Sequence, residues 1–378
     1  MSERYDPIYV TRSFLPPLED FTNMLGEIWE SRILTNGGSH HQALEAALCD
    51  YLGVPFISLT SNGTIALQLA LSALDINRGE VITTPYSFPA TSHVISLAGA
   101  MPVFVDIGHA LFNLDPSGLE AAITERTRAI MPVHCYGLPC EGEAIAEIAA
   151  RHDLPVLYDA AHAFAVKEAG GSVLNHGRFA ALSFHATKVF NTFEGGAVVC
   201  QSAEDKQRID RLKNFGIANE VEVELAGING KMSELNAAIG LLQLRYIDDA
   251  LAARAVVDAR YRKGLADIEG IVVPEPSQAA RHNCSYFPIL IDEARFGESR
   301  DALYERLKSA GVFARRYFYP LLSNLPMYAD LPSAALTSLP RANVVAEQVL
   351  CLPIHPELSE ADQGRVISAI KGERSWVS

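Results

Sequence analysis

The sequence predicts an α/β protein with a mostly parallel sheet covered by helices on both faces. Three observations lead there. Short apolar runs rich in Val, Ile, Ala and Phe recur, separated by segments with helical periodicity. Those runs are continuous rather than alternating, as strands buried on both faces require. The chain has 378 residues, 49% of them hydrophobic and 20% charged, which is enough for about two domains. The expected division is a large domain over residues 1–250 and a smaller α+β domain over 251–378.

In order, Leu18 to Ile28 and His41 to Tyr51 read as helices on either side of the Asn36-Gly37-Gly38 turn. Phe56 to Thr60 is a strand, Ser61 to Thr64 a polar turn, and Ile65 to Leu74 a helix. Glu80 to Thr84 reads as a strand ending at Pro85, with Phe88 in the next turn and a helix from Thr91 to Ala98. Pro102 to Asp106, Ala129 to Val133 and Pro155 to Asp159 are further strands, the last preceded by a helix from Glu143 to Arg151. Phe179 to Leu182 and Ala197 to Cys200 are two more, flanking Lys188. Ser233 caps a helix that runs from Leu235 to about Ala266 and is long enough to bridge two domains. Beyond it, Ser285 to Ile291 is a strand and Ser299 to Ala310 a helix, while Arg315 to Pro320 is an edge strand or loop.

Composition narrows the function. A net charge of −14 argues against nucleic acid and anionic membranes as partners. No apolar run approaches the roughly 20 residues of a membrane helix, and the polar opening over residues 1–7 predicts no secretory signal. Six scattered cysteines without paired CxxC spacing predict reduced thiols in a cytoplasm and no zinc site.

Ligands of such sheets gather where strands end. Lys188 lies between two buried strands. There it either snorkels to the surface or is desolvated enough to attack a carbonyl as a neutral amine. Asp159 ends an apolar strand, as a turn cap or as the counter-charge of a buried cationic heterocycle. At about 4 Å and an effective dielectric near 20, such a pair is worth about 4 kcal/mol. Ser61 to Thr64 opens a helix. The turn is either a phosphate site or a cap made by Ser61 or Asn62.

Six segments taken together resemble one family. They are Leu34 to Gly38, Ser61 to Leu67, Ile82 to Phe88, Tyr158 to His162, Ser183 to Lys188, and Gly227 to Met232. The chain resembles the DegT-type nucleotide-sugar aminotransferases, which use pyridoxal 5'-phosphate and have the aspartate aminotransferase fold. The resemblance implies a Schiff-base and proton-transfer role for Lys188 and a pyridine-nitrogen contact for Asp159. It implies phosphate contacts for Gly63, Thr64 and Ser183, and ring stacking by Phe88. His162 falls near the ring hydroxyl, where many members have Gln, which leaves its tautomer open. Asn229 is expected to reach the phosphate of a neighbouring subunit's cofactor in a homodimer with shared sites. Lys231, Arg316 and Tyr319 are expected to meet the nucleotide sugar. L-glutamate is the expected donor, and the expected acceptor is a dTDP-linked 4-keto-6-deoxyglucose. A 3-keto isomer and a non-catalytic ligand-binding protein are the alternatives.

Overall fold

The computed structural model describes residues 6–108, 112–275 and 279–373, so residues 1–5 of the polar opening lie outside the described residues. A short strand, β1 (Ile8–Tyr9), and two helices, α1 (Leu18–Ser31) and α2 (Ser39–Leu52), come first. Strand and helix then alternate through β2 (Phe56–Thr60), α3 (Gly63–Ala73), β3 (Glu80–Thr83), α4 (Pro89–Leu97) and β4 (Met101–Phe104). The one-turn α5 (Leu119–Ala122), β5 (Thr127–Met131), α6 (Gly142–Arg151) and β6 (Leu157–Asp159) continue the pattern. A small hairpin of β7 (Lys167–Glu168) and β8 (Gly171–Ser172) leads to β9 (Phe179–Ser183) and β10 (Gly196–Cys200). Next come α7 (Ala203–Leu212), a hairpin of β11 (Ile217–Asn219) and β12 (Glu222–Val223), and the 32-residue α8 (Glu234–Leu265). The remainder holds β13 (Ile271–Val272), β14 (Phe287–Ile291), α9 (Glu293–Phe296), α10 (Arg300–Ser309), β15 (Val312–Phe313), α11 (Pro340–Gln348), β16 (Val349–Leu352) and α12 (Glu360–Lys371).

A four-stranded run, β2-β10-β9-β6, and a three-stranded run, β4-β3-β5, meet through parallel bridges from Ile130 to Val156 and from Val133 to Asp159. The resulting order is β4-β3-β5-β6-β9-β10-β2, with β10 antiparallel to both of its neighbours and the other pairings parallel. Successive residues of each strand serve opposite cores, as the two-residue period demands. Ile57, Leu59, Ala180, Leu182, Ala197 and Val199 pack into the core under α2 and α8. Phe179, Ala181, Val198 and Cys200 pack into the core under α3 and α7. Both faces being apolar explains why the strands read as unbroken hydrophobic runs.

The long helix starts where Ser233 accepts the N–H of Asn236 at 3.3 Å. Its N-terminal part (Ala237, Ile247, Leu251) packs on the sheet core, and its C-terminal part (Val257, Tyr261, Leu265) on a separate core with β14, β16, α10 and α12. β1 pairs in parallel with β15, which puts Ile8 in that second core and carries the chain's beginning to its last third. Arg315 to Pro320 forms a loop, joined to β16 by a bridge from Arg315 to Cys351 and held by the Tyr86 hydroxyl donating to Tyr317 O at 3.1 Å.

Helix α2 has no side-chain cap of its own. The buried Glu234 carboxylate accepts the N–H groups of His40 at 2.9 Å and His41 at 3.1 Å instead. A Cβ on Gly38 would sit 2.6 Å from Glu234 Cδ, so only glycine lets the carboxylate reach the helix end. Glu234→Ala removes both bonds and should lower stability by about 2–3 kcal/mol, measured as a lower urea midpoint. An unchanged midpoint would mean that water replaces the carboxylate without loss.

Candidate functional site

Because β10 runs against its neighbours, its first residue lies at the same sheet edge as their last ones. Gly196 pairs with Thr60 on one side and Ser183 on the other. A Cβ on Gly63 would lie 2.8 Å from Ser183 Cβ, and one on Gly196 would lie 2.6 Å from the carbonyl carbon of Asn62. The α3 N-terminus is thus pressed against the sheet edge with no room for side chains. Asn62 Oδ1 accepts the N–H of Ile65 at 2.9 Å. The capping reading of this turn is therefore correct for Asn62. It occupies one first-turn donor, while Gly63 and Thr64 still bring theirs to the edge, where helix geometry provides no intrahelical partner. Thr64 is exposed and Ser183 half-buried.

Asp159 ends β6 and is 5% exposed. Its Oδ2 accepts Thr91 Oγ1–H at 2.7 Å and its Oδ1 accepts the Ala161 N–H at 3.1 Å. Burial pushes its pKa above the usual carboxylate value, opposed by these two donors and by the charge of Lys188. Lys188 follows β9, with its ammonium over the Tyr286 ring (5.9 Å to the centroid) and 3.4 Å from that hydroxyl. Burial lowers its pKa from 10.5 to about 8, and the Asp159 charge limits the fall.

His162 is buried and its charged form is strongly disfavoured, first by burial and then by the charge of Lys188. The Tyr136 N–H donates to its Nδ1 at 3.1 Å, so the neutral ring carries its proton on Nε2. Nε2 lies 3.4 Å from the Tyr286 hydroxyl, which therefore bridges His162 and Lys188. Phe318 stacks on His162 at 5.9 Å and 3°. Phe88 precedes α4 with its side chain 57% exposed, an apolar face open to a ligand at the same strand-end side.

The other expected contacts sit apart. Lys231 Nζ donates to Asn214 Oδ1 at 2.7 Å and lies over the Phe215 ring at 5.3 Å. Arg316 pairs with Asp301 at 2.8 Å and stacks on Tyr304, while Tyr319 lies under Arg300 at 4.6 Å. Asn229 is exposed and makes no side-chain hydrogen bond among the described residues. Its neighbour Gly230 accepts the Ser61 N–H at 2.8 Å, so this turn lies against the phosphate-type turn of its own chain, nearer than its position in the sequence suggested.

Thr91, Tyr136, Tyr286 and Phe318 escaped the sequence reading as site residues. Thr91 had a usable signal, since it is the third residue of a helix that starts at a strand end. The aromatics had none, because they come from the short turn after β5 and from loops far along the chain. Among the described residues no cluster of His, Cys, Asp or Glu could hold a metal, and no helix is long and apolar enough to cross a membrane.

With a pKa of about 8, roughly a tenth of Lys188 is neutral at pH 7, against fewer than about one in a thousand for a lysine at 10.5. Competitive acylation of the protein without cofactor, read by peptide mass spectrometry, should give Lys188 a labelling midpoint near pH 8. A midpoint above 10 would show that it is fully hydrated.

Comparison with known proteins places the whole chain in one family. The sequence profile of the DegT/DnrJ/EryC1/StrS aminotransferase family matches residues 18–371. The chain is 53% identical over 365 residues to dTDP-4-amino-4,6-dideoxy-D-glucose transaminase of Shigella dysenteriae, covering 97% of this chain and 98% of that one. It is 50% identical over 367 residues to the transaminase of the same name from Escherichia coli, covering 97% and 98%. A crystal structure of DesI in the presence of its TDP-sugar product superposes with a TM-score of 0.93 at 35% identity, over 98% of this chain and 95% of that one. The chain belongs to the DegT/DnrJ/EryC1/StrS aminotransferase family.

Proposed function

We propose that this enzyme transfers the amino group of L-glutamate to C4 of dTDP-4-keto-6-deoxyglucose, giving dTDP-4-amino-4,6-dideoxyglucose. The observation that carries this reading is the near full-length similarity, at 53% and 50% identity, to two transaminases named for that product. The enzyme is a sugar aminotransferase that depends on pyridoxal 5'-phosphate, as the family is. When bound, the cofactor supplies a carbonyl for the donor's amine and a protonated ring that accepts the electrons released with the α-proton.

The residues at the sheet edge fit such a group. Gly63 and Gly196 leave no side chain over the α3 N-terminus, so its first N–H groups and the Thr64 and Ser183 hydroxyls can hold a phosphate dianion. Phe88 has an apolar face free to stack on a heterocycle. Asp159, whose ionised form two donors favour, is placed to keep a ring nitrogen protonated. His162 can donate from Nε2 to a phenolate oxygen. Lys188, a fraction of it neutral at pH 7, removes a proton from the amine-bearing carbon of glutamate and delivers one to C4 of the acceptor. Lys231 is the residue proposed for the substrate diphosphate. Arg316 and Tyr319 are proposed for the sugar side, and Arg316 must exchange Asp301 for substrate to act there.

The test is turnover with dTDP-4-keto-6-deoxyglucose and L-glutamate, followed by NMR of the product. An amine at C4 is expected, and equal or better turnover with the 3-keto isomer would overturn the regiochemistry. A purified protein whose cofactor absorbance does not respond to glutamate would overturn the enzyme reading itself.

We also propose a homodimer in which Asn229 serves the partner's phosphate site. Its exposed, unpaired side chain supports this. Lys188→Ala alone should abolish turnover. Asn229→Ala should weaken cofactor retention by about 1.5–3 kcal/mol, the loss of a bond to a charged group. After subunit exchange at limiting cofactor, mixing the two should restore activity above either parent, because one site in the heterodimer carries neither lesion. No recovery after proven exchange would place Asn229 in its own chain's site, beside Ser61.

A further inference from the structure

Behind Asp159 lies a pair of hydroxyls that the reaction itself does not call for. Thr91 is fully buried and Ser87 is 3% exposed. Ser87 Oγ lies 2.7 Å from Thr91 Oγ1, and Thr91 Oγ1 lies 2.7 Å from Asp159 Oδ2. A threonine hydroxyl has one proton. Thr91 spends it on the carboxylate, so in this chain of bonds Ser87 must donate and Thr91 accept. The direction is therefore fixed: Ser87 O–H to Thr91 Oγ1, and Thr91 O–H to Asp159 Oδ2.

We propose that Thr91, polarised by Ser87, is a positioning residue that keeps the Asp159 carboxylate ionised and aimed at the ring nitrogen of the cofactor. The inference rests on the reading of Asp159 as the partner of that nitrogen.

Three features support a dedicated role over incidental packing. First, a threonine in a helix commonly turns its hydroxyl to a carbonyl one turn back. Thr91 instead points out of α4 to a residue 68 positions away, and its own N–H is already satisfied by Phe88 O at 3.1 Å. Second, each carboxylate oxygen accepts one bond from this chain, from Thr91 on Oδ2 and from Ala161 N–H on Oδ1. This grips the group at both atoms and leaves a lone pair on each. Third, the charge needs the help. Buried carboxylates drift toward the neutral form, and a hydrogen bond to the ionised form opposes that drift. A hydroxyl that itself accepts a bond is the stronger donor. The remaining groups facing Asp159 are Lys188, whose charge also favours the carboxylate, and the thiols of Cys135 and Cys140, which burial keeps neutral.

The test uses holoenzyme loaded with [15N]pyridine-labelled pyridoxal phosphate at pH 7. The nitrogen resonance and the cofactor dissociation constant are both read. Wild type should show the protonated position. Thr91→Val keeps the shape and loses the hydroxyl. It should move the resonance toward the unprotonated position and weaken cofactor binding about tenfold. Thr91→Ser restores the hydroxyl and should restore both readings, which a purely packing role does not predict. Ser87→Ala should move the resonance in the same direction by less.

A wild-type resonance and affinity in Thr91→Val would overturn the proposal. Should that variant fail to fold, an unmoved resonance in Ser87→Ala overturns it instead. Asp159→Asn separates the two levels of argument. If it leaves the resonance protonated, Asp159 is not the partner of the nitrogen and the underlying reading falls. If it deprotonates the ring while Thr91→Val does not, the inference alone falls.

Discussion

Removing a carboxylate from water costs several kcal/mol unless the protein replaces its hydration, and much of this active site follows from placing Asp159 in that position. A charge buried at the end of β6 is tolerated because Thr91, Ala161 and Lys188 each favour the ionised form. Those three come from α4, from the turn after β6 and from the loop after β9. All three elements start or stop at one edge of one sheet. The sheet order therefore does more than provide a core: it gathers at a single edge the groups that one buried charge requires.

The same low-dielectric setting acts on Lys188 with the opposite sign. Burial lowers its pKa while the neighbouring carboxylate raises it, and burial wins, leaving the lysine at about 8. Had Asp159 been nearer or less well supplied with donors, the balance would differ. A stronger pair would hold the lysine as an ammonium, useless as a base. A protonated Asp159 would leave the lysine free to lose its charge but the ring nitrogen without a partner. Satisfying Asp159 through Thr91 and Ala161 relieves Lys188 of being its sole counter-ion. That separation of tasks lets Lys188 serve as a base while Asp159 keeps its charge for the ring nitrogen.

The strands of the seven-stranded sheet, the long helix with its Ser233 cap and the order of the six motifs were legible in the sequence, because they depend on local period and spacing. β10 as a reversed strand was not, since antiparallel and parallel strands buried on both faces have the same apolar run. Nor was the role of Glu234, whose partners lie 194 and 193 residues away and meet it only because Gly38 has no side chain. The sequence reading placed Thr60 to Thr64, Phe88, Asp159 and Lys188 at or just past strand ends, and in the fold they end or follow β2, β3, β6 and β9. It could not see that Arg316 is engaged by Asp301 or Lys231 by Asn214, because a long cationic side chain takes whichever carboxylate or carbonyl the fold brings near.

The last third of the chain joins this edge through bonds between neutral groups. Asn283 Nδ2 donates to the carbonyls of His162 and Phe164 at 2.8 and 2.9 Å, and Ser285 Oγ donates to Tyr136 O at 2.8 Å. Gly137, at φ +81°, has room only for hydrogen at this junction, since a Cβ would lie 2.7 Å from Asn283 Oδ1. From α8, the buried Arg254 reaches the carbonyls of Cys284 and Ile354 and so ties the same loop to the second core. Tyr286 follows directly, which fixes its hydroxyl between His162 and Lys188. The bonds from Asn283 and Ser285 suit this task because they add no charge beside Lys188, whose pKa burial and Asp159 set between them. The second core thus contributes to the site by position rather than by charge.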